Sequence, residues 1–163
     1  MEHHKLASTP LPLDELLPYE GKATAQQIHA YQQRIGLINF VAVVTRPVVA
    51  FAASQLATFL CNPSPAHLAA ADRTITYLYR TRAYAIEYLV PPGVEEDHIF
   101  FCASDAAYAD DRQTRKSTGG FLHKLFGGPT DWHSGKQKIV TTSSTEAELL
   151  AQSGTVWLTD RQT

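Results

Sequence analysis

Cysteine is scarce in this sequence. Cys61 and Cys102 are the only two, far apart and without CxxC spacing, which excludes a disulfide framework and suits reduced thiols in an intracellular setting, both expected in the core. An excess of one charge is missing as well. With 14 Lys+Arg against 16 Asp+Glu the net charge is −2, so the chain as a whole is no electrostatic glove for nucleic acid, and any such binding must come from a local patch. Long apolar runs are absent too: "INFVAVV" is cut by Thr45, Arg46 and Pro47, well short of the roughly 18–20 residues that a membrane span needs. The start, "MEHHKLASTPLP", lacks the apolar core of a signal peptide, and its adjacent His3 and His4 read as bland surface rather than a metal site. These absences point to a cytoplasmic or nuclear chain with no membrane contact.

What is present is enough apolar material, 44% of 163 residues, to bury the core of one ordinary domain or two small lobes. Prolines 10, 12 and 18 make the segment over 1–22 an extended arm, with leucines to lay on the body. Thr24 is a plausible N-cap, after which Ile28, Tyr31, Ile35, Ile38 and Ala42 recur at helical spacing until Pro47. A second helix is expected from Pro47 to about Leu60. A third follows Ser64 and Pro65, an N-cap with proline at the first helical position, and its apolar side is read as Leu68, Ala71, Ile75 and Leu78. After Arg82 the period switches from 3.6 to 2, giving β-type runs at "YAIEYL", "HIFFCASD", "STGGFLHKLF" and "TDWHSG", with a hairpin turn at "GGP". The stretch "IVTTSSTEAELLAQSG" reads as a closing helix, so the fold class is α+β.

Two acids draw attention. Asp105 ends an apolar strand, a good position for a metal ligand, although a carboxylate there also caps turns. Further on, Ser143/Glu146 and Thr145/Glu148 both have capping-box spacing, and either glutamate suits the positive end of a helix dipole. Over 112–138, Arg112, Arg115, Lys116, Lys124, Lys136 and Lys138 face a single acid, Asp131, making the only strong charge asymmetry in the chain. Such a patch gives salt-sensitive attraction to phosphates, or is a solvated strand face.

Read together, "QQRIGLINFVAVVTRPVVAFAASQLATFLCNPSPAHLAAADRTITYLYRT", "SDAAYADD", "RKSTGGF" and "WHSGKQKIVTTSSTEAELLA" resemble the Ty1/copia-type retrotransposon Pol polyprotein where reverse transcriptase ends and ribonuclease H begins. The resemblance implies a helical thumb or connection lobe over 23–82 and a partial RNase H-like lobe over 83–163, with antiparallel strands 1 to 3 and the first helix. It implies hydrolysis of the RNA strand of an RNA/DNA hybrid with two Mg²⁺, or Mn²⁺ in their place, and it assigns Asp105 and Glu148 as catalytic metal ligands while Glu146 keeps the cap. Arg112, Arg115, Lys116, Lys136 and Lys138 would then touch the hybrid.

The tetrapeptide "YADD" at 108–111 imitates a polymerase centre, but "RQTRKST" follows it where an apolar strand is required. The pattern is departed from at Val48, Ala107 and Leu149, and the family's remaining aspartates fall beyond Thr163. Asp160 is no substitute, about 18 Å past Glu148 if the helix continues. The expectation is therefore an incomplete site and an exposed sheet edge open to self-association or to the rest of a polyprotein. The rival expectation is a non-catalytic module binding nucleic acid or protein.

Overall fold

The computed structural model describes residues 9–89, 99–110 and 114–156. By contact the chain divides into two compact units, Met1–Ala85 and Ile86–Thr163.

The first unit is helical. Helix α1, Ala25–Val44, opens at Thr24, whose side chain accepts from Gln27 N while the Gln27 side chain answers the Thr24 N–H. It ends at Thr45, ahead of Pro47. The expected second helix is split: a 3₁₀ turn, Pro47–Val49, leads into α2, Ala50–Ala57, which stops short of Leu60. Helix α3, Pro65–Arg80, begins at Ser64 with proline inside its first turn. Tyr31, Ile35, Ile38 and Ala42 of α1 pack with Val49, Ala53 and Leu56 and with Ala70, Ala71 and Tyr77 of α3. The apolar side of α3 is thus rotated from the expected one: His67, Ala70, Ala71, Thr74 and Tyr77 are buried, while Leu68, Ile75 and Leu78 lie at the margin. Polar residues can take inner positions because His67 and Thr74 find hydrogen-bond partners.

Residues 9–23 form no helix or strand and run as an arm over this core, with Leu11 and Leu16 packed against it. Side chains strap it down. Asn62 donates to the Tyr19 and Gly21 carbonyls and accepts from Ala23 N, Thr74 donates to the Pro10 carbonyl, and His67 bonds the Leu17 carbonyl.

The second unit is a three-stranded antiparallel sheet in the order β1 (Phe100–Ala107), β2 (Thr118–Leu125) and β3 (Gly128–Lys136), followed by α4 (Ser144–Val156), which packs on β1 and β2. The architecture is α+β. No strand forms at 84–89, contrary to expectation; Leu89 N donates to Phe126 O and Tyr88 Oη to Pro129 O, but no ladder is built there. The β2–β3 turn also differs. It consists of Phe126 and Gly127, at φ 50° and 79°, with Gly128 and Pro129 already in the strand. A two-residue hairpin with both φ positive matches the twist of its strands, and Gly127 takes that backbone without strain. Both cysteines are exposed rather than in the core. Among the described residues no helix is long and apolar enough to cross a membrane.

Candidate nucleic-acid and metal site at one end of the sheet

Directly opposed residues of an antiparallel pair project to the same face, and neighbours along a strand alternate. Ala106, Gly119 and Gly135 form one such row. A Cβ on Gly119 would lie 3.6 Å from Cβ of Ala151 and 3.3 Å from Nε2 of Gln137, so α4 covers this face. A methyl there would make ordinary contact with Ala151, whereas a branched side chain would not fit beneath the helix. Gly119→Val is expected to push α4 outward and cost about 1–3 kcal/mol in urea unfolding, and a loss within error would mean that α4 does not rest there.

Asp105 pairs with Gly120 and therefore projects from the other face. It is exposed, and its Oδ1 accepts from Ala106 N at 2.8 Å. Glu148 is also exposed and rises from α4 one residue beyond Ala147, which is fully buried against the sheet. The register thus sets Asp105 on the face that α4 leaves uncovered, while Glu148 is carried by the helix itself. Among the described residues no group of three or more His, Cys, Asp or Glu side chains is close enough to share an ion.

Glu146 serves the helix end. Ser143 Oγ accepts from Glu146 N at 3.1 Å, and the Glu146 carboxylate accepts from Thr142 N at 2.6 Å and Thr142 Oγ1 at 2.9 Å. The backbone bond first, then the hydroxyl, hold its pKa below the ordinary carboxylate value. The reach is to Thr142, one residue earlier than in a standard capping box.

Asp110 has a duty that sequence reading left open. Its two oxygens accept from Thr118 N at 2.8 Å and Thr118 Oγ1 at 2.7 Å, which ties the end of β1 to the start of β2. Both oxygens are thereby engaged in a loop clamp. No spacing rule in "ADDRQTRKST" marks this. Beside it, buried Ser117 accepts from Ala109 N at 3.0 Å and meets Thr141 Oγ1 at 3.2 Å, while Gln137 Nε2 donates to the Ala147 carbonyl at 2.7 Å and Tyr108 Oη to the Thr142 carbonyl at 3.1 Å. These bonds bring the start of α4 to the end of the sheet where β1 finishes.

The cations gather at that same end. Arg115 and Lys116 precede Thr118, which pairs with Lys136, and Lys138 follows two residues on. Arg115 and Lys138 are exposed, and Arg115 holds a left-handed backbone at φ 58°. Arg112 lies outside the described residues. Lys124 sits near the other end of β2, beside the hairpin turn and away from the others. One end of the unit thus carries four cations, Asp105 and the opening of α4.

Comparison with known proteins gives curated relatives over most of the chain. It is 40% identical over 135 residues to secreted RxLR effector protein 161 of Plasmopara viticola, covering 80% of this chain and 92% of that one. It is 34% identical over 153 residues to a transposon Ty5-1 protein of Saccharomyces cerevisiae, covering 93% of this chain and 48% of that one. It is 34% identical over 145 residues to the retrovirus-related Pol polyprotein from transposon RE1 of Arabidopsis thaliana, covering 88% of this chain and 10% of that one. The chain therefore spans about half of the yeast relative and a small part of the Pol polyprotein. No family model and no solved structure matches it.

Proposed function

This chain belongs to the Ty1/copia-type retrotransposon Pol polyproteins, and from that premise we propose that its second unit is part of an RNase H-type lobe, preceded by reverse-transcriptase connection helices. Within a whole polyprotein such a lobe hydrolyses the RNA of an RNA/DNA hybrid with two Mg²⁺ or Mn²⁺ ions. The residues described in this chain do not by themselves complete a site for that ion pair, since no group of three or more candidate ligands gathers among them. The reading is that this chain holds hybrid without turning it over, Asp105 and Glu148 being its contribution to a site completed by other carboxylates. The single observation that supports it is the assembly of Arg115, Lys116, Lys136 and Lys138 at the sheet end shared by Asp105 and the start of α4.

A labelled RNA/DNA hybrid in Mg²⁺ or Mn²⁺ tests this. Expected is salt-dependent binding without cleavage above buffer, with Arg115→Ala plus Lys116→Ala lowering the log–log salt slope by about 2. Cleavage abolished by both Asp105→Asn and Glu148→Gln would show a working centre instead, and an unchanged slope would remove the proposed interface.

A second reading rests on the Plasmopara viticola relative, of which the chain covers 92% and whose name is that of a secreted effector. A stand-alone, non-catalytic module derived from a retroelement fits that coverage. It would bind protein or a second copy, with β1, whose one neighbour among the described residues is β2, as the pairing edge. Failure to bind hybrid together with concentration-dependent sedimentation selects this reading. Residence in cytoplasm or nucleus belongs to the first.

A further inference from the structure

On the sheet face away from Asp105, one row carries chemistry that neither reading uses. Cys102 on β1 is opposed to His123 on β2, and His123 to Asp131 on β3, so Cys, His and Asp side chains share a face on three adjacent strands. His123 is 2% exposed, yet neither ring nitrogen has a hydrogen-bond partner. An imidazole buried that way carries an uncompensated desolvation cost, and such an orphan calls for a reason.

The surroundings supply one. Oδ2 of Asp131 lies 3.6 Å from Nδ1, too far for a hydrogen bond but near enough to favour a proton on that nitrogen. The Phe100 and Phe121 rings flank the imidazole at 5.9 and 5.0 Å. Nε2 is then the acceptor, and the neighbour on the remaining strand is the exposed thiol of Cys102. Opposed Cβ atoms lie about 4.5–5.5 Å apart, so a rotamer change brings thiol and imidazole within reach. One metal ion does not explain the row, because Cys102 and Asp131 stand two strand spacings apart, about 9.5 Å.

We propose that Cys102, His123 and Asp131 form a reactive-thiol site that takes soft electrophiles and small disulfides. Asp131 orients the ring, and Nε2 of His123 receives the thiol proton as Sγ attacks. With iodoacetamide the C–S bond forms as the C–I bond breaks and iodide leaves. With a small disulfide the new S–S bond forms as the old one breaks, and the departing thiolate takes the proton from the imidazolium. The site is independent of Asp105, Glu148 and the cations.

The full chain treated with iodoacetamide at neutral pH, with both cysteines followed by mass spectrometry, provides the test, Cys61 being an exposed internal reference. An unassisted thiol is only a few per cent thiolate at that pH, so Cys102 is expected to react about tenfold faster than Cys61. His123→Gln should bring the two rates together. Because His123 is buried, Asp131→Asn at a half-exposed position is the second arm and should cut the advantage by about half or more. Equal rates in the unmodified chain, or an advantage that survives Asp131→Asn unchanged, would overturn the proposal.

Discussion

Tyr31→Ala is expected to destabilise the helical unit by about 3–5 kcal/mol, the range for removing a fully buried aromatic. Tyr31 is 0% exposed and central to the contacts among α1, α2 and α3, and its hydroxyl donates to the Leu56 carbonyl at 2.8 Å. Tyr31→Phe separates packing from hydrogen bonding. It should cost only about 1 kcal/mol, because the Leu56 carbonyl still accepts from Phe59 N at 3.2 Å. Burial raises the pKa of the phenol above its ordinary value. The stability tied to its neutral form is present below the unfolded value near 10 and is lost as pH rises toward the folded one. Urea unfolding followed by circular dichroism at 222 nm reads all three effects. A Tyr31→Ala loss near that of Tyr31→Phe would show that the ring fills no core.

The second large effect is expected at His67, which is 1% exposed and stacked on Phe59 at 3.8 Å between ring centres. Nδ1 accepts from Ser64 N at 2.9 Å, so the proton sits on Nε2, which donates to the Leu17 carbonyl at 2.9 Å. One neutral ring thus closes the cap of α3 and fastens the arm. His67→Ala removes both bonds and leaves a cavity, for about 3 kcal/mol. His67→Gln restores the residue type usual at this capping position and should lose less. Burial lowers the pKa of this histidine, with the Leu17 bond opposing. Its stabilisation is therefore complete above the unfolded value of about 6.5 and is lost as pH falls through the folded one, where a second ring proton would face the Ser64 N–H. His67→Gln should flatten that part of the pH–stability curve; an unchanged slope would place the titration elsewhere.

How much of this was legible in the residues can be judged element by element. Thr24, Ser64 and Pro65 announced helix starts because capping involves only three or four consecutive residues. The core stripe Tyr31, Ile35, Ile38 and Ala42 was readable because α1 buries a single face at the helical period. The strands at 100–107, 118–125 and 128–136 and the closing helix followed from the change of period, and the resemblance to copia-type Pol segments held in comparison with known proteins. The run at 84–89 had β-type texture but found no ladder, since texture names a conformation and not a partner.

By itself, then, the sequence determined the elements, their caps and the lineage, all carried by neighbours along the chain or by motif order. Only the tertiary structure decided that α3 turns His67 and Thr74 inward, that Asp110 clamps Thr118, that Cys102 is exposed and aligned with His123, and that Asp105 projects from the sheet face that α4 leaves uncovered. Each depends on strand register or helix rotation. A shift of one residue reverses every face of a strand, and packing between distant segments sets that shift.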